Sequence, residues 1–90
     1  PPGRATLVPG AKIDRFGYDG GTFVSPEGIP YVQRSLAPGT QYKPYNVYEV
    51  LKPIEVDAGK IAPAFDFPGG GIQYELPASV KELIKSGHLK

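Results

Sequence analysis

Chemistry has few places to reside in this chain. Its 90 residues contain three arginines (Arg4, Arg15 and Arg34), one histidine (His88) and no cysteine. Arg15 and Arg34 stand among Gly and Pro turns beside short candidate strands. There a planar guanidinium fork can clamp phosphate oxygens in a bidentate manner, or can form a surface ion pair. Gln73 follows Gly69-Gly70-Gly71 in a candidate strand, so its amide can hydrogen-bond a ribose hydroxyl or simply fill an exposed position. The glycine triplet can turn the chain or let a ligand approach the backbone closely, but it lacks the Lys-Ser/Thr ending of a P-loop and opens no long helix. Glu75 reads as a strand carboxylate. His88 lies beyond Gly87 and reads as a solvated tail residue, which leaves no material for a Ser-His-Asp triad or a histidine metal cluster. Without cysteine, thiol chemistry and Cys-based zinc sites are excluded.

Positioning these groups falls to a single domain spanning residues 1–90, because a chain this short has no surface left to bury in a second core. The apolar fraction of 40%, with Tyr and Phe as the only aromatics, supports one thin core that relies on tyrosines with a buried face and a polar tip. A formal net charge of +1 with no long run of one sign argues against an electrostatic nucleic-acid binder. No apolar run approaches the roughly 18 residues needed to span a bilayer. The beginning Pro1-Pro2-Gly3 suggests a domain excised from a longer polypeptide whose other parts handle delivery.

Glycine (12) and proline (11) punctuate short apolar segments instead of clustering, which points to many short strands joined by tight turns. Lys12 to Phe16 alternates Ile13 and Arg15 with Asp14 and Phe16, and pairs as a hairpin with a strand containing Phe23 and Val24. Tyr45 to Leu51 carries apolar groups on both faces, so a central position is expected. Ile54 to Val56 and Ile72 to Leu76 form two further strands. Val80, Leu83 and Ile84 then switch to helical spacing, with Ser79 and Glu82 as a capping box and Gly87 as the stop. The expected class is α+β and mostly β: short antiparallel strands, tight turns and a short C-terminal helix.

At Asp14-Arg15-Phe16-Gly17 the chain begins to resemble the tuberculosis necrotizing toxin family. The likeness continues through Gly21-Thr22-Phe23-Val24-Ser25-Pro26, Gly28, Pro30 and Arg34. It resumes at Tyr48, Lys52-Pro53, Val56, Gly59 and Ala62-Pro63, and is strongest at Pro68-Gly69-Gly70-Gly71-Ile72-Gln73-Tyr74. The resemblance implies a compact, mostly β NAD⁺ glycohydrolase that releases nicotinamide and ADP-ribose. NADP⁺ is a second candidate substrate; no cofactor or metal is required. Carried over by motif, Arg15 and Gln73 are the catalytic residues, and Phe16, Phe23, Arg34, Gly70 and Gly71 bind substrate. The implied setting is a secreted or delivered effector acting in a target cell's cytosol, paired with an immunity protein and engaging neither nucleic acid nor membrane. Two positions depart from the family pattern: Tyr45-Asn46 stands where some members have His, and Ala64-Phe65 where Trp-Phe is usual. A looser likeness, through Gln73-Tyr74-Glu75, is to ADP-ribosyltransferases. From another class, a Pro/Gly-rich β interaction module without catalysis is the competing expectation.

Overall fold

The computed structural model describes residues 3–90. Pro1 and Pro2, on which the expectation of an excised domain partly rests, lie outside the described residues. Six strands, β1 (Gly3–Leu7), β2 (Lys12–Phe16), β3 (Phe23–Pro26), β4 (Tyr45–Glu49), β5 (Ile54–Lys60) and β6 (Ile72–Glu75), precede one helix, α1 (Val80–Lys85). They form a single sheet in the order β1-β5-β6-β3-β2-β4, and every pairing is antiparallel. The mostly β class expected from the turn spacing is therefore the class observed. No helix among the described residues is long and apolar enough to cross a membrane.

Strand alternation decides which face each side chain takes. In β5, Ile54 and Val56 are buried while Glu55 and Asp57 are exposed. Ile13, Val24 and Tyr48 from other strands and Val50 just past β4 join them, and Leu76, between β6 and α1, closes the core with Val80 and Leu83 of α1. The capping box is present: the Ser79 hydroxyl accepts from the Glu82 amide at 3.1 Å, and the Glu82 carboxylate accepts from the Ser79 amide at 3.3 Å.

Four elements differ from the sequence reading, the first being β5, which runs past the expected end at Val56 to Lys60. β4 is an edge strand, with β2 as its one strand neighbour among the described residues, and not a central one. Tyr48 and Val50 face the core, whereas Tyr45 and Val47 are exposed, so its apolar residues on two faces do not mean two covered faces. The C-terminus is no solvated tail, because it doubles back along the end of β4. Leu51 donates to the His88 carbonyl, Glu49 and Lys90 exchange two backbone hydrogen bonds, and Leu89 is buried. β1 was not foreseen. Only Leu7 is fully buried in it, and its outer face is held to β5 by exposed polar contacts, Arg4 with Asp57 and Thr6 with Glu55.

Candidate active site

The face of β2, β3 and β6 opposite the core carries Asp14, Phe16, Phe23 and Gln73. The segment from Gly28 to Leu36 crosses part of this face. A cleft of about 60 Å³ remains, with Phe16, Phe23, Arg34 and Gln73 in its walls, together with Asp14, Arg15, Ser25 and Ile61. That volume is below the roughly 150 Å³ of a cavity that takes up a benzene ring and well below the roughly 300–1,000 Å³ of a full ligand pocket, so the cleft is a shallow notch open to the surface. A larger ligand would therefore insert one end and lie across the open surface.

Arg34 is only 6% exposed and Asp14 is fully buried. The guanidinium Nη1 and Nη2 donate to the two carboxylate oxygens at 2.6 and 2.8 Å, while Nε and Nη2 donate to the Ile29 carbonyl at 3.0 and 2.8 Å. Asp14 also accepts from the Gly28 amide at 3.0 Å and from the Tyr45 hydroxyl at 2.7 Å. Arg34 was expected either to offer a free fork to phosphate or to form a surface ion pair. Instead, four of its hydrogen-bond contacts are internal, leaving one of its five N–H groups, on Nη1, without a protein partner among the described residues.

Burial pushes the Asp14 carboxyl up, but hydrogen bonds from Arg34, the Gly28 amide and Tyr45 outweigh it and hold the group below the ordinary aspartate value. Donation to Asp14, then burial, raises the Tyr45 hydroxyl. Because the folded carboxyl ionises at lower pH than the unfolded one, its stabilisation is complete above about pH 4 and is lost as pH falls through the folded value. Urea midpoints measured from pH 6 down to pH 2.5 should therefore fall at the acid end. In Asp14→Asn, that part of the acid dependence should be missing.

Above the ion pair, Phe16 meets Tyr31 edge-on at 5.0 Å and Tyr45 at 4.7 Å, and Tyr31 in turn meets Phe67 at 5.8 Å. The Arg34 guanidinium carbon lies 5.1 Å from the centre of the Phe16 ring. Phe16 is thus fixed from three sides, while Phe23 remains 45% exposed.

Arg15 borders the cleft, yet its head group is committed to the loop between β2 and β3. Nε donates to the Tyr18 carbonyl at 2.8 Å and Nη1 to that of Phe23 at 2.9 Å. Its guanidinium lies so close over Gly21 that a Cβ there would overlap it. No ion pair among the described residues involves Arg15. Gln73 is exposed at the cleft wall, and its side chain has no hydrogen-bond partner among the described residues. Gly70 and Gly71 do not border the cleft: their amides donate to the carbonyls of Ile61 and Gln33, so they are not free to cradle phosphate. A Cβ on Gly71 would fall 2.9 Å from the Gln33 carbonyl oxygen, which explains the glycine by packing of β6 beneath the crossing segment. Glu75 is exposed and outside the cleft lining.

Sequence reading did not assign Asp14 or Tyr31 to the site and gave Tyr45 no role. A signal for Asp14 was present: it shares strand parity with Phe16, and a carboxylate in a half-buried strand needs a cation, of which the chain has few.

Residues 6–90 match the family model described as Tuberculosis necrotizing toxin. The chain is 44% identical over 95 aligned residues to the conidial surface nicotinamide adenine dinucleotide glycohydrolase of Aspergillus fumigatus, covering 98% of this chain and 41% of that relative. It therefore spans less than half the length of that protein. Among solved structures, tuberculosis necrotizing toxin complexed with its immunity factor superposes with a TM-score of 0.77 at 27% identity, over 97% of this chain and 54% of the other. Tne2 in complex with Tni2 shares the fold, with a TM-score of 0.66 at 20% identity, over 100% of this chain and 86% of the other.

Proposed function

The chain belongs to the tuberculosis necrotizing toxin family, and from that membership we propose that it hydrolyses NAD⁺, and NADP⁺ as a second substrate, at the bond between nicotinamide and ribose. What supports the reading is the convergence of Phe16, Phe23, Arg34 and Gln73 on one small, open cleft. Phe16 and Phe23 wall the nicotinamide, and the Gln73 amide holds a ribose hydroxyl. Arg34 offers its remaining Nη1 hydrogen to the nicotinamide carboxamide. Arg15 fixes the loop that leads into Phe23 and supplies positive charge near the pyrophosphate. Gly71 lets the crossing segment pack closely beside Gln73, and neither Gly70 nor Gly71 is assigned a contact with the dinucleotide.

Nicotinamide leaves as a neutral molecule from a cationic precursor, so departure needs little acid catalysis, and the charge passes to the ribose as an oxocarbenium ion. Holding the dinucleotide with its anomeric carbon open to water supplies the acceleration; orientation of this type is worth about 7–11 kcal/mol in favourable systems. Water then adds to the anomeric carbon and loses a proton to solvent, giving ADP-ribose. Glu75 stands outside the cleft lining, which favours hydrolysis over transfer to a protein acceptor.

The purified chain should release stoichiometric nicotinamide from NAD⁺ at catalytic protein concentration. An unchanged dinucleotide solution would return the chain to the class of non-catalytic interaction modules. The same assay tests an immunity protein, proposed because the tuberculosis toxin was solved with one. Such a partner would cover the cleft and stop nicotinamide release. Delivery into a target cell's cytosol belongs to the same proposal.

A further inference from the structure

The ion pair of Asp14 and Arg34 stands in the wall of the cleft, outside the apolar core, and a buried ion pair is weak evidence for stability in its own right. Its position has an electrostatic consequence for any ring seated between Phe16 and Phe23. Oxidised nicotinamide carries a positive charge, and that charge stays on the substrate, passing to the ribose, as the bond breaks. A bare guanidinium about 6 Å away would repel it by on the order of a hundredfold in affinity at an effective dielectric of about 20. Arg34 is not bare. Asp14 contacts it through both carboxylate oxygens at 2.6 and 2.8 Å, and the Gly28 amide and Tyr45 hydroxyl hold that carboxylate in place.

We infer that Asp14 is a specificity-determining positioning residue: it neutralises Arg34, so that the guanidinium donates a hydrogen bond at the ring end of the cleft without repelling a cationic ring. The inference rests on the NAD⁺ reading and deepens it. It assigns to Asp14, acting through Arg34, the acceptance of the oxidised dinucleotide. The reduced dinucleotide, whose dihydronicotinamide is neutral, has the same contacts and no such requirement.

The test compares kcat/KM for NAD⁺ with the inhibition constant of NADH in the wild-type chain, in Asp14→Asn and in the double variant Asp14→Asn/Arg34→Gln, with circular dichroism to establish folding. Asp14→Asn preserves shape and leaves the guanidinium charge uncompensated. It should lower kcat/KM for NAD⁺ at least about tenfold more than it weakens NADH. The double variant makes the cleft wall neutral again and should return the ratio to within about threefold of wild type, whatever its absolute rate. A merely structural Asp14 would move both ligands in parallel. Parallel losses in Asp14→Asn, or a ratio still depressed in the double variant, overturn the inference. If Asp14→Asn does not fold, Arg34→Gln decides: it leaves the carboxylate without its cation and should raise kcat/KM for NAD⁺ relative to NADH affinity by at least about threefold, and an unchanged or lowered ratio overturns the inference. A wild-type chain that releases no nicotinamide defeats the NAD⁺ reading and the inference together, whereas an active wild type with parallel losses defeats the inference alone.

Discussion

Arg34→Ala is expected to destabilise the protein by about 3–5 kcal/mol, because it leaves the fully buried Asp14 carboxylate without its cation. The Ile29 carbonyl loses both of its guanidinium donors in the same step. An arginine that only clamped substrate would be removable without cost to the fold. The geometry changes that expectation, since the guanidinium ties Asp14 on β2 to the segment that crosses above it. Urea denaturation followed by far-UV circular dichroism measures the effect. Asp14→Asn/Arg34→Ala should recover part of the loss, because the double variant leaves no buried charge unpaired. A single variant with a near-wild-type midpoint would show that the pair contributes nothing to the fold.

Gln73→Ala is expected to act in the opposite way, with little effect on stability and a large one on turnover. Its side chain is exposed and has no protein partner among the described residues, so truncation should change folding stability by no more than about 0.5 kcal/mol. If its amide holds the ribose as charge develops, kcat should fall by about a hundredfold with KM little changed, the signature of a contact that strengthens in the transition state. Steady-state nicotinamide release gives both constants. A rise in KM at constant kcat would assign Gln73 to ground-state binding, and an unchanged kcat/KM would remove it from the site.

These two variants mark the difference between what the chain shows locally and what it shows only when folded. Local rules were legible where a single residue or a short period decides the outcome. Ser79 and Glu82 cap α1 because their side chains and amides lie within one turn of each other, and Gly87, at a φ of +80°, stops it. Ile54 and Val56 alternate with charged neighbours and could face only one way. The ordered motifs from Asp14 to Tyr74 identified the family, and of the residues carried over with it Arg15, Phe16, Phe23, Arg34 and Gln73 meet at the cleft whereas Gly70 and Gly71 do not.

Tertiary structure decided the rest, through contacts between residues remote in sequence. β4 has apolar side chains on both parities, so periodicity could not choose its covered face; pairing with β2 and cover from Leu89 did. β1 has one buried side chain, Leu7, and exists as a strand because β5 supplies its partner five residues in register. The two arginines looked alike in sequence, each beside a turn. Arg15 became the tether of its own loop because Gly17 and Gly21 leave room for its guanidinium. Arg34 became half of a buried pair because folding brings it against Asp14, twenty positions earlier, where a carboxylate withdrawn from water must have a cation.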